Sequence, residues 1–164
     1  MNARYLDDFE AGQRFSGSAR VRVDAERIKS FAAEFDPQPF HLDERAAGAS
    51  IFAGLAASGW HTAAMTMSLL VKSDFVPAGG IIGAGFDEFR WPTPVRPGDE
   101  LRVETEVLEV RASKSRPGLG VIKVRTTTYN QNDEAVQVFV GSLVVPSRPA
   151  TSGAARTGSR SGSG

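Results

Sequence analysis

The chain contains no cysteine, which excludes disulfides and cysteine-ligated metals and fits a reducing compartment. Neither sign of charge is in excess, since 19 basic side chains face 19 acidic ones. Neither a nucleic-acid-binding surface nor an acidic solvating tail is therefore indicated. Histidine is nearly absent too. His41 and His61 are the only two, and without a His-x-x-x-His spacing or a cysteine they make no ligand set, so no metal is expected. No Gly-x-Gly-x-x-Gly or Walker sequence occurs, which leaves nucleotide-binding folds unsupported. Ser58 lacks the flanking glycines of a Gly-x-Ser-x-Gly elbow, which argues against a serine hydrolase. The first twelve residues carry Asp7, Asp8 and Glu10 and no apolar run, so they do not read as a signal peptide, and a cytoplasmic location is expected.

The segment from Ala46 to Val71 has no charged residue, and a membrane-spanning helix needs about 20 apolar residues. Gly48, Ser50, Gly54, Ser58, Gly59, His61, Thr62, Thr66 and Ser68 interrupt it, however, and small polar residues of this kind suit a helix wrapped by protein. The spacing predicts a buried helix from Ser58 to Ser73, apolar around most of its circumference. Before it, Gln13–Val23 reads as a first strand. Asp24 then caps a helix whose apolar face is Ile28, Phe31, Ala32 and Phe35. Pro37 stops that helix at Asp36, and Leu42–Ala47 reads as a polar turn. After Pro77, Gly79 and Gly80 come four strands: 81–91, 101–110, 120–129 and 135–145. Alternation in Leu101, Val103, Thr105 and Val107 slips by one residue at Leu108, the mark of a β-bulge. The expected architecture is α+β, a curved antiparallel sheet wrapped around one long helix over residues 1–146. Residues 147–164 are Ser/Gly/Arg-rich and read as a disordered tail.

Chemistry concentrates in Asp36-Pro37-Gln38-Pro39-Phe40-His41. Two prolines restrict a short apolar segment that ends in a carboxylate and an imidazole. Such a pair is suited to moving a proton on and off water, although structural ion pairs look similar. Apolar surroundings would raise the Asp36 pKa and lower that of His41 unless the two stabilise each other. His61, beside Trp60 on the buried helix, reads as a hydrogen-bonded core histidine. Gly59 falls at the start of that helix, where free N–H groups and the positive end of the dipole could stabilise an oxyanion. Its plain alternative is tight packing or a cap. Ser58 is either the helix cap or a contact to ligand.

These segments, in this order, resemble the MaoC-like family of (R)-specific enoyl-CoA hydratases and dehydratases, which have the hot-dog fold. The family pattern Asp-x-Asn-Pro-x-His is matched by Asp36 to His41, with Gln38 in place of Asn. A branch of the family carries wording close to Phe52-Ala53-Gly54-Leu55-Ala56-Ala57-Ser58-Gly59-Trp60-His61-Thr62. Arg90-Trp91-Pro92-Thr93-Pro94-Val95-Arg96-Pro97-Gly98-Asp99 resembles the family's approach to its middle strands. Hydratases with the strongest motif have His-Gly where this chain has Ser58-Gly59.

The resemblance implies that Asp36 and His41 hold one water against the double bond of a 2-enoyl thioester. It further implies that the Gly59 N–H polarises the thioester carbonyl. No cofactor is implied beyond the CoA or carrier-protein arm of the substrate. Ser58 and Trp60 are expected beside the substrate, and Arg90, Lys114 or Arg116 at the phosphates of CoA, although Lys114 and Arg116 also read as an ordinary solvated turn. An unpaired sheet edge implies a homodimer or an assembly of dimers. Two other functions share the scaffold: an acyl-CoA thioesterase, and a non-catalytic acyl-binding subunit of a heterodimer. The second predicts loss of a catalytic residue, and both are present.

Overall fold

A computed structural model describes residues 2–151 of the chain; the tail from residue 152 onward lies outside the described residues. After a 3-10 turn at Leu6–Asp8 the elements are β1 (Arg14–Ser16), β2 (Val21–Arg22), α1 (Ala25–Phe35), α2 (Pro39–Leu42), α3 (Glu44–Gly48), α4 (Gly59–Val71), β3 (Ile82–Arg90), β4 (Glu100–Ala112), β5 (Leu119–Tyr129) and β6 (Ala135–Pro146). The sheet is antiparallel throughout, in the order β1-β4-β5-β6-β3, with β2 paired to the start of β4. It curls around α4. This is the hot-dog arrangement.

The four long strands stand where the sequence pattern puts them. The slip at Leu108 is a register shift between Val107 and Glu109 in the β4–β5 ladder. Other expectations need correcting. The single first strand is two short ones, separated at Gly17 to Arg20. A Cβ on Gly17 would meet the Ser73 Cα at 3.0 Å, so the chain here passes close against the end of α4. The turn at Leu42–Ala47 is helical. Pro39 opens α2 at its first position, where a missing N–H costs nothing, and the Asp43 side chain caps α3 by accepting the Ala46 N–H at 2.7 Å. Asp24 caps α1 through the Arg27 N–H at 2.8 Å, and α1 ends at Asp36.

The helix α4 is not enclosed on all sides. Thr62, Met65, Thr66, Leu69 and Leu70 face the sheet and are buried, while Trp60, Met67 and Val71 are exposed. Two apolar clusters flank it. One gathers Phe9, Phe15, Phe75 and Leu70 over the β4–β6 strands. The other joins Ile28, Met65, Leu69, Val95, Leu101 and Val136, and it fixes α1 and the 94–99 turn against α4. Among the described residues no helix is long and apolar enough to cross a membrane. Past β6, Nη2 of Arg148 donates to both oxygens of the Asp8 carboxylate, at 2.7 and 2.6 Å, and the guanidinium lies over the Tyr5 ring.

Candidate active site

The chain brings Asp36 to the C-terminal end of α1 and His41 onto the one-turn helix α2. The His41 ring is buried, and its Nδ1 lies 2.7 Å from the Ala56 carbonyl. A carbonyl only accepts, so Nδ1 carries the proton and donates it, leaving Nε2 for chemistry. Nε2 stands 3.4 Å from Asp36 Oδ2, beyond ordinary N–H···O distance but within reach of one shared water.

Asp36 is held from two further sides. The Ser58 hydroxyl donates to Oδ2 at 2.6 Å, and the Gln38 amide donates to Oδ1 at 2.5 Å. Burial raises its pKa, but the Ser58 and Gln38 hydrogen bonds and the charge of His41 outweigh that. The carboxyl ends below its ordinary value, the outcome expected when the charged form is hydrogen-bonded.

Ser58 is wholly buried and serves two groups. Its oxygen accepts the Trp60 N–H at 3.2 Å, capping α4, while its proton goes to Asp36. Gly59 is the first residue of α4, so its N–H has no partner within the helix. A Cβ there would come within 2.6–2.8 Å of the Trp91 ring. Only glycine lets that indole, tied by its N–H to Gln137 at 2.9 Å, lie across the helix start.

A cavity of about 420 Å³ opens over this group. Asp36, Gln38, His41 and Gly59 line it on the polar side, with Phe40, Phe52, Trp60, Trp91, Val95 and Val136 among its apolar walls. The structure therefore gathers Asp36, His41, Gly59 and Trp60 in one place. Ser58 sits behind the wall, spent on Asp36 and the helix cap, and does not line the cavity. Arg90 does not line it either and is paired with Glu88. Lys114 and Arg116 lie in the turn between β4 and β5, beside Gly118, whose carbonyl accepts the Ser147 N–H. Val136 is at the opposite end of β6, which at about 3.3 Å per residue is roughly 30 Å away. Within one protomer neither side chain meets the cavity.

His61 also departs from expectation. Its ring stacks on Phe31 with centroids 4.6 Å apart and planes 8° apart, and its buried Nδ1 has no hydrogen-bond partner. Burial first, then the charge of Arg27, lowers its pKa, with Asp24 opposing. It packs as an aromatic ring.

Sequence reasoning missed Arg96. Its guanidinium donates to the carbonyls of Gly54 (2.9 Å), Leu55 (3.3 Å) and Phe52. The neighbouring Val95 carbonyl accepts the Ala57 N–H at 2.9 Å. Together they clamp the segment whose Ala56 carbonyl orients His41. The Arg96-Pro97-Gly98-Asp99 turn is itself closed by Asp99 accepting the Arg96 N–H at 2.9 Å. The wording around Arg96 was visible in the sequence; its bond partners, more than forty positions earlier, were not.

Residues 8–130 match the MaoC-like domain. The chain belongs to the MaoC-like dehydratase family. A MaoC-like dehydratase of Rhodospirillum rubrum is similar in structure, with a TM-score of 0.86 at 56% identity, covering 90% of this chain and 100% of that one. An uncharacterized protein of Bacillus subtilis, YdeM, is 37% identical over 140 residues, which is 85% of this chain and 96% of the relative. The R-hydratase PhaJ1 of Pseudomonas aeruginosa in its unliganded form has a TM-score of 0.65 at 26% identity, with 88% of this chain and 86% of that one covered. MaoC-like chains thus share with this one the sheet and the central helix.

Proposed function

We propose that this MaoC-like protein is a hydro-lyase that adds water reversibly across the double bond of a 2-enoyl thioester, giving a 3-hydroxyacyl thioester. The observation that carries the reading is the Asp36–His41 pair. Its carboxylate is kept ionised by Ser58 and Gln38, and its imidazole is locked in one tautomer by Ala56 at the polar wall of an otherwise apolar cavity. A water between Oδ2 and Nε2 would be held by both groups.

In the hydration direction Asp36 takes a proton from that water as its oxygen bonds to the β-carbon. The π electrons move toward the thioester oxygen, where the Gly59 N–H at the positive end of α4 stabilises the enolate. The pair starts as a carboxylate and an imidazole whose Nε2 is free, so the proton Asp36 takes from water is the one the pair delivers to the α-carbon, and that delivery returns both groups to their starting state. One water is consumed, one C–O and one C–H bond form, and no redox step is involved. The apolar walls suit an acyl chain, and tethering both reactants supplies much of the rate.

A thioesterase would attack the carbonyl carbon instead. Ser58 is buried, donates its hydroxyl to Asp36 and does not line the cavity, so it is not placed to act as the nucleophile of a covalent version. Incubation with crotonyl-CoA, following enoyl absorbance and free thiol together, separates the two: hydration removes the absorbance without releasing thiol.

A further inference from the structure

A second concavity lies between α1 and α4, on a different face of α4 from the catalytic cavity. It encloses about 580 Å³ and is walled by Arg20, Arg22, Arg27 and Lys72, with Phe31 and His61 at its base. In a chain of zero net charge, four cations and no carboxylate on one wall is an uneven distribution. Among the described residues none of the four has a carboxylate within ion-pair distance, and unlike Arg4, Arg45, Arg96, Arg111, Lys114 and Arg116, which also lack one, they line a single hollow. Arg20 spends one nitrogen on the Gly17 and Ala19 carbonyls and keeps the rest of its guanidinium. Asp24 beside this wall caps α1 by accepting the Arg27 N–H, and its carboxylate offsets part of the positive charge felt at His61. Four like charges left unpaired around one hollow repel each other, and a multiply charged anion would relieve that cost.

We infer that this groove binds the phosphate-bearing end of the CoA ester, with Arg22, Arg27 and Lys72 at the phosphates and Arg20 beside them. The assignment rests on the hydratase reading for its substrate and on the groove's own geometry for its location. Lys72 is the C-cap of the helix whose first residue, Gly59, lines the catalytic cavity, while Arg22 stands on β2 and Arg27 on α1. From Gly59 to Lys72 the helix runs about 20 Å, comparable to an extended pantetheine arm. A multiply charged phosphate group matched to guanidinium forks is the pairing these side chains form best. Arg90, Lys114 and Arg116, the cations the sequence suggested for this task, do not line either concavity.

The test compares crotonyl-CoA with crotonyl-N-acetylcysteamine, which carries the same thioester without phosphates, in the intact protein and in Arg22→Gln/Arg27→Gln. Both residues are exposed, so the variant is expected to fold, and circular dichroism checks it. Calorimetry with adenosine 3′,5′-bisphosphate reads the groove without any chemistry. The groove predicts that the kcat/KM advantage of the CoA ester falls at least about tenfold in the variant, and that its salt dependence weakens with it. Binding of the bisphosphate should fall in parallel. An undiminished CoA advantage overturns the proposal. Loss of bisphosphate binding with that advantage intact also overturns it, by making the groove a site for a separate phosphate ester. If the intact protein hydrates neither ester, the hydratase reading fails, and the calorimetry alone then decides whether the groove takes the bisphosphate.

Discussion

Asp36 is the residue on which the chemistry turns, and its surroundings set testable limits. Asp36→Asn and His41→Ala should each lower the hydration rate by about 10²–10⁴ while leaving the circular dichroism spectrum unchanged. A variant retaining near-normal turnover would remove that residue from the mechanism. Because the Asp36 pKa is depressed in the folded protein, its contribution to stability is present above the unfolded carboxylate pKa and fades as pH falls through the folded value. The acid limb of the rate profile should therefore lie below the usual carboxylate range. Ser58→Ala removes the largest of the effects that lower that pKa, and should move the limb upward. It also removes the cap of α4, at a cost of about 1 kcal/mol, but a cap alone would not move the pH profile. Arg96 acts one step further out. Arg96→Met should release the segment that orients His41 and lower kcat by about tenfold to a hundredfold with little change in KM, with partial rescue by Arg96→Lys. The Asp36–His41 pair was legible because two prolines hold it within six residues. The Ser58–Asp36 bond, across 22 positions, was not, because side-chain partners at that separation are set by how α1 packs on α4.

At the scale of elements, the start of α4 combines two demands on one glycine. Gly59 admits the Trp91 ring and exposes its own N–H at the cavity wall. Gly59→Ala should force the indole or the helix to move and destabilise the fold by about 1–3 kcal/mol. Trp91→Leu in the same chain makes room for the methyl group. Alanine keeps the N–H, so the double variant should regain turnover as well as stability; recovery of stability alone would leave Gly59 a packing residue. The long strands were readable from alternation, including the bulge at Leu108, because each has one buried face. The short elements were not. Pro39 and Asp43 start helices of four and five residues, too short for periodicity to register. The open face of α4 was missed because Met67 and Val71 are apolar, and apolar residues do not by themselves reveal whether protein covers them.

For the whole molecule, the edge strand β3 and that open face raise the question of assembly. Ile82 and Phe86 on β3 are more than half exposed, as are Trp60 and Val71 on α4, and a free edge beside apolar surface is ordinarily paired or covered. Sedimentation should show a dimer or a multiple of it at micromolar concentration, and a monomer alone would contradict this. A curved sheet around one small-residue helix was readable from the pattern of elements, and the family from the resemblance of the segments 36–41, 52–62 and 90–99 to its motifs. What the walls of the cavity accept was not, since it depends on Trp60, Trp91 and Val136 meeting from separate elements. The central claim is that these parts add water to a carbon–carbon double bond next to a thioester. It is tested most directly by giving the purified protein crotonyl-CoA and recording enoyl absorbance and free thiol in one cuvette. The account predicts loss of absorbance to an equilibrium value with no thiol released, abolished by Asp36→Asn. Thiol released in step with substrate loss, or absorbance lost equally fast by Asp36→Asn, would contradict it.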